Sequence, residues 1–401
     1  AKAFLHDAAL TACPSHVRPT AGTGFREGMK VDKSKWVSCT LDSVCDIQFG
    51  TRIVKKQTEA GQYYVYGGGG ATFTTKSYNR ESAITVSRFA LSKECTRFIE
   101  GKFFLNDSGL TLHPKTNLLL FQFLKWHVFA LNDKIYSLAR GAAQKNLDVK
   151  RFSKLLIKLP KNNEQCTIAT ELDTLQKMID GYKAQIADLD VLAQSIFVDT
   201  FGNVAVNDKC WDIIQMGQLG NFKNGLNYSK GEIGKPLKII GVGDFQNIKC
   251  LSSFDNISYI NIEDISQEYL LHNEDIVFVR SNGNKNLVGR CLEVFPNSTE
   301  VTFSGFCIRF RKSVEIINKY LIATLTDIGF KNTHILKSNG IGIQNINQKL
   351  LSSLPIPVPP IGMQKKYAAQ VEAIEKQKEL IRQQLADAET LMKERMQYYF
   401  S

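Results

Sequence analysis

The chain has 401 residues, 43% of them hydrophobic, and a formal net charge of +11. That is enough chain and enough apolar content for two globular domains. No apolar run approaches the roughly 18–20 residues of a membrane span, and the most apolar stretch, residues 118–124, is ended by Lys125. The nine cysteines include neither a C-x-x-C pair nor Cys and His at metal-binding spacing, which points to reduced thiols in a cytoplasmic protein.

In chain order, residues 1–28 lack periodicity and read as a leader or disordered arm ahead of Met29. A first block spans residues 29–160 and opens on Trp36, Leu41, Val44 and Gly50. Tyr63-Tyr-Val-Tyr66 reads as an aromatic strand running into the turn Gly67-Gly-Gly-Gly70. Residues 83–87 read as a strand ending at Arg88. Residues 103–112 alternate around a turn at Asn106-Asp-Ser-Gly109, and residues 118–137 read as one helix. The second block, residues 202–360, opens alike on Trp211, Met216, Leu219 and Gly225, each 175 positions on. Residues 237–242 read as a strand, as does Asp275-Ile-Val-Phe-Val279, which stops at Arg280. Another is expected from Gly289 to Val294, and a helix over residues 314–328. Polar loops at residues 141–147 and 338–346 match each other.

Each block leads into a long amphipathic helix, residues 161–201 and 361–401. Apolar residues of the first recur in steps of four and three: Ile168, Leu172, Leu175, Ile179, Tyr182, Ile186, Leu189, Leu192 and then Ile196. This is the seam of a helix packed lengthwise on another. Over the eight positions from Ile168 to Leu192 the second helix repeats it at an offset of 199, with Tyr367, Val371, Ile374, Ile381, Leu385, Ala388 and Leu391, and Lys378 alone breaks the match there. Pro160, Gln165 and Phe201 likewise match Pro359, Gln364 and Phe400. Neither helix can bury its seam alone, so each is expected to bury it on the other. The expected fold is α+β. Two globular domains are separated by two long antiparallel helices forming a coiled coil, with an internal pseudo-two-fold repeat. Lys378 is expected to face the Ile179 region and mark the register.

No catalytic constellation is visible. Gly67 to Gly70 lack the following G-K-[ST] of a phosphate-binding loop, and Gly241-Val-Gly243 lacks the third glycine of a dinucleotide fingerprint. There is no N-P-P-Y/F or D-P-P-Y/F run of an amino-methyltransferase, and no histidine pair at metal spacing. Recognition chemistry is what remains. Residues 29–160 hold 21 Lys/Arg against 10 Asp/Glu, whereas residues 202–360 hold 16 against 14, so the first block in particular suits a polyanion. In the second block Arg280, Ser281, Asn282, Asn284 and Lys285 place a guanidinium, amides and an ammonium on one strand-end turn, with Arg290, Arg309 and Arg311 nearby in sequence. Such groups fork onto guanine or adenine or sit on phosphate. Lys223, Tyr228 and Lys230 join this set. The first block's candidates are Arg52, Lys55, Lys56, Tyr63, Tyr64, Tyr66, Gly68, Lys76, Arg88 and Lys145.

The run Leu354-Pro-Ile-Pro-Val-Pro-Pro360, then Gln364 and a long helix, resembles the conserved region of the DNA specificity (S) subunit of type I restriction-modification systems. Residues 155–165 resemble a degraded copy. Residues 275–289 and 303–306, and residues 63–70 with 85–88, resemble that family's target-recognition domains, although Phe89-Ala90 departs from the usual Lys/Gly-rich turn after Arg88. The resemblance implies a non-catalytic subunit whose two domains each read one half of a bipartite site in double-stranded DNA. The helices would set the gap and dock two methyltransferase (M) subunits. A motor-nuclease (R) subunit would join them, and S-adenosylmethionine, ATP and Mg would belong to those partners, with no cofactor on this chain. The alternatives are the specificity part of a fused restriction-methylation enzyme, and a coiled-coil scaffold without a DNA role.

Overall fold

A computed structural model describes residues 30–141, 144–228, 233–245, 248–281, 287–336 and 345–401. The expected leader at 1–28, and Lys230, Asn282, Asn284 and Lys285, lie outside the described residues. The chain forms two compact units, Ala1–Lys183 with Arg382–Ser401, and Ala184–Ile381. Limits drawn from the sequence fall at the ends of the long helices. Compactness instead groups each half-helix with the domain it packs on.

In the first unit six strands make one sheet, in the order Cys45–Phe49, Gly109–Pro114, Arg80–Ser87, Thr96–Leu105, Tyr63–Gly67, Gly70–Thr75. Arg80–Ser87 is internal, and Ala83, Ile84, Thr85 and Val86 are all buried. A strand covered on both faces reads as a continuous buried run rather than an alternation. The two strands flanking the turn at residues 106–109 do not pair with each other, because Arg80–Ser87 lies between them. The helix expected over residues 118–137 is two, Phe121–Ala130 and Asn132–Ser137, separated at Leu131. Phe123, Leu124, Trp126 and Val128 pack on Ile84, Val86, Leu110 and Leu112.

The first long helix, Asn162–Phe201, enters this core with Ile168, Leu172 and Leu175 fully buried. Gln165 ties helix to domain. Its Oε1 accepts the Leu120 N–H at 2.9 Å, and its Nε2 donates to the Leu118 and Pro160 carbonyls at 2.7 and 2.9 Å. Leu120 precedes a helix with no side-chain cap, so the glutamine satisfies a donor there. The second long helix, Ile361–Phe400, contributes Leu391, Met392, Met396, Tyr399 and Phe400 to the same core. Glu171 accepts the Tyr399 hydroxyl at 2.6 Å and pairs with Arg395 at 3.1 Å, while Lys183 pairs with Glu389 at 3.0 Å. Residue numbers rise on one helix as they fall on the other, so the helices run antiparallel.

The second unit divides its strands between two main sheets. One has the order Gly220–Asn224, Cys307–Lys312, Asp275–Val279, Cys291–Val294, Cys250–Leu251; the other is Tyr259–Ile262, Lys235–Ile240, Val301–Phe303. Asp275–Val279 is buried at every residue and paired on both sides. The expected helix is shorter than its apolar pattern, Asn318–Thr326. Gln364 repeats the role of Gln165, its Oε1 accepting the Ile317 N–H at 3.0 Å and its Nε2 donating to Pro359 at 2.8 Å. Phe197, Phe201, Tyr320 and Tyr367 form an aromatic cluster between the helices and the domain. The helices are again antiparallel here, with Phe197 and Phe201 against Tyr367 and Asp190 against Lys378.

Most of the expected seam is buried or half-buried, including Tyr182, Ile186, Leu189, Val371, Ile374, Ile381, Leu385 and Ala388. Leu192 departs from it at 46% exposure, and the buried line continues through Ile196 and Phe197 instead. Lys378 is buried, but its ammonium bonds Asp190 and Glu375 at 2.7 and 2.9 Å rather than marking Ile179. In an antiparallel pair the residue opposite Lys378 lies further along the first helix than the parallel offset suggests. Among the described residues seven cysteines are free thiols. Among the described residues no helix is long and apolar enough to cross a membrane.

Candidate nucleic-acid interface

Each unit carries the same main-chain frame around one arginine. In the first unit the Arg88 N–H donates to the Ser108 carbonyl at 2.8 Å, and the Arg88 carbonyl accepts from Leu147 at 2.8 Å. In the second, Arg280 N–H donates to Phe306 at 2.8 Å and its carbonyl accepts from Ile346 at 2.8 Å. The turns match too, with Gly109 N–H on Asn106 at 3.0 Å and Cys307 N–H on Ser304 at 2.8 Å. Gly50 and Gly225 close the frame, and a Cβ on either would stand 2.0 Å from the carbonyl oxygen of Asn106 or Ser304. Four chain segments therefore meet at each arginine, and their backbone polar groups are spent on one another. What the frame leaves to vary is side chains, which is what reading different base sequences requires.

The candidates differ in what they are free to do. Arg52, Lys55 and Lys56 are exposed on the segment after Gly50 and have no carboxylate partner among the described residues. Arg280 is half-buried and has no ion-pair or ring partner among the described residues. Arg88 instead lies over the rings of Phe49 and Phe89, at 4.9 and 4.6 Å, and donates to the Asp107 carbonyl at 3.4 Å. Lys145 donates to the Tyr136 hydroxyl at 2.7 Å. Lys223 pairs with Glu268 at 2.6 Å above the Tyr269 ring, and Lys76 pairs with Glu59. Tyr64 and Tyr228 are exposed; Tyr63 packs on Tyr78, and Tyr66 packs edge-on against Phe103. Ser281 and Arg290 are half-buried beside the frame.

Three of the candidates are held within the fold. Gly68 is walled in, since a Cβ would meet the Phe89 carbonyl at 2.3 Å, and its own carbonyl accepts from Ser87 and Arg97 at 2.7 and 3.1 Å. Arg309 is 7% exposed, with one amino group on the Glu268 carbonyl at 3.2 Å, and burial holds its pKa below the usual arginine range. Arg311 forks onto Asp275 through two 2.7 Å bonds. Both arginines occupy an inner strand, Cys307–Lys312, where the sheet partners claim them. Reading by residue type missed Phe49, Phe89 and the exposed Phe306, which stand in or beside the frame. The matched glycines at 50 and 225 were the available signal. Among the described residues no cluster of His, Cys, Asp and Glu is placed to hold a metal ion.

Comparison with known proteins follows the same division. Residues 33–190 and 208–390 each match the model of the type I restriction modification DNA specificity domain. Over 273 residues the chain is 26% identical to the type I restriction enzyme StySPI specificity subunit of Salmonella potsdam, covering 64% of this chain and 58% of that protein. It is 24% identical over 283 residues to the EcoKI specificity subunit of Escherichia coli K12, with the same coverage. The aligned part thus spans under two thirds of these relatives. Among solved structures the fold is similar to the S subunit of a type I restriction-modification system from M. genitalium, with a TM-score of 0.58, 19% identity, and 92% of this chain and 97% of that chain covered. A chain from a study of type I R-M complex assembly gives a TM-score of 0.53 at 14% identity, covering 91% and 97%.

Proposed function

The chain belongs to the type I restriction modification DNA specificity domain family, and on that premise we propose that each unit reads one half of a bipartite site in double-stranded DNA. The observation that carries this is the repeated frame, which presents Arg88 and Arg280 from identical backbone settings with different surrounding side chains. A split site read by two homologous modules needs that combination of constant scaffold and variable surface. The long helices would fix the gap between the halves and dock two methyltransferase subunits, with a motor-nuclease subunit joining for cleavage. The chain itself would be non-catalytic and act in the cytoplasm. S-adenosylmethionine, ATP and Mg would be held by the partners.

Selection from a random duplex pool, using the chain with its methyltransferase subunits, tests this. Two short specified blocks separated by a constant unspecified gap are expected; one contiguous block, or no enrichment, overturns the reading. A heptad inserted in each helix adds about 10 Å. It should widen the gap by about three base pairs, at about 3.4 Å each, leaving both halves unchanged.

A further inference from the structure

In the second unit a cleft of about 380 Å³ lies between the start of the strand Cys291–Val294 and the residues that follow the helix Asn318–Thr326. Lys249, Arg290 and Lys331 line it, with Phe245, Leu325 and Ile328 as apolar walls. Neither lysine has a carboxylate partner among the described residues. Lys331 crosses the chain at Gly289, where φ is +77° and a Cβ would stand 3.8 Å from the lysine Cε. Burial lowers the Lys331 pKa from its ordinary value, the Cys291 thiol partly offsets this, and the neighbouring Arg290 adds to the lowering. Like charges drawn together and partly desolvated are relieved by an anion.

Two residues that line the cleft, Gly289 and Arg290, are hydrogen-bonded to the strand that ends at the arginine frame. Gly289 N–H donates to the Val279 carbonyl at 3.0 Å, Val279 N–H donates to the Arg290 carbonyl at 2.9 Å, and Val279 is followed by Arg280. The geometry points to a phosphate site: the cleft holds a backbone phosphate of the duplex that Arg280 faces. This rests on the DNA-specificity reading and deepens it. Lysine ammoniums hold phosphate as point charges, and the apolar walls suit an adjoining sugar. The site also accounts for how a domain with little excess charge, 16 Lys/Arg against 14 Asp/Glu over residues 202–360, can engage a polyanion.

The test uses the full chain and a fluorescein-labelled mixed-sequence duplex of about three helical turns. Lys249→Gln with Lys331→Gln should weaken binding roughly 3- to 10-fold and reduce the salt slope by about one. Lys331→Arg in place of Lys331→Gln should retain most of the affinity, and Lys177→Gln with Lys393→Gln, equal in charge removed, should change little. Lysine acetylation footprinting reads the site independently of folding, and duplex should protect Lys249 and Lys331. An unchanged slope with no protection overturns the proposal, as does protection by inorganic phosphate alone and not by duplex. Absence of duplex binding by the unsubstituted chain would instead overturn the DNA reading itself.

Discussion

Arg88 in the first unit lies against the rings of Phe49 and Phe89, whereas the corresponding frame positions around Arg280 are Asn224 and Ser281. The turn opposite reverses this, with Ser108 in the first unit and Phe306, 62% exposed, in the second. The aromatic group has changed place while the hydrogen bonds that hold the arginine have not. The polar contacts between the helices differ in the same manner. In the first unit Glu171, Arg395 and Tyr399 are shielded together, with side-chain exposures of 18% and 13% for the ion pair. In the second, Lys378 is 6% exposed but its partner Asp190 is 62% exposed. Two copies of one unit thus share the main-chain frame and the glutamine tie, and diverge wherever a side chain is not held by the backbone.

The shared part should be the most costly to break. Gly50→Ala and Gly225→Ala each force a Cβ onto a carbonyl oxygen, and each should lose about 3 kcal/mol or more by chemical denaturation. If only one did, the frames would not be equivalent. Acid should separate the units next. His127 is buried against Phe123 and Phe400, and burial pushes its pKa down to about 3. The folded ring stays neutral while the unfolded one takes a proton near 6.5. First-unit stability is therefore lost as pH falls from about 6.5 toward about 3, at up to about 1.4 kcal/mol per pH unit. In the second unit burial raises the Glu293 pKa, so its unfavourable ionised form is relieved as pH falls. Thermal unfolding of His127→Leu should gain on the unsubstituted chain progressively below pH 6.5, and a constant difference would remove this contrast.

Glu171→Ala removes the acceptor of the buried Tyr399 hydroxyl and the Glu171 carboxylate that pairs with Arg395, and should cost about 2 kcal/mol. Lys378→Met removes a buried charge whose partners reach water, and should change stability by less than about 1 kcal/mol in either direction. Equal costs for these two would erase the distinction between the networks. At the interface, Arg280→Ala should relax base choice in one half-site by about 1–3 kcal/mol. Arg88→Ala should cost less discrimination, because its guanidinium is already committed to two rings. Selection on random duplexes with each variant measures both.

Much of this organisation was legible in the sequence because helix and frame repeat at steady offsets. A 40-residue amphipathic helix declares its buried face by periodicity alone, and the matched Trp, Gly, Pro and Gln positions declare two copies of one unit. What sequence could not supply was the partner of each side chain. Arg309 and Arg311 have the composition of contacts, yet an inner strand makes one a buried donor to the Glu268 carbonyl and the other the counter-ion of Asp275. Gly68 has the look of a flexible turn, yet its space is filled by the Phe89 carbonyl. Lys378 breaks the pattern in sequence, but only antiparallel packing decides that Asp190 answers it. Periodicity is a property of neighbours along the chain, so the sequence alone determined the helices and the duplication. Which charges remain open to a ligand depends on residues distant in sequence, so only the tertiary structure decided it.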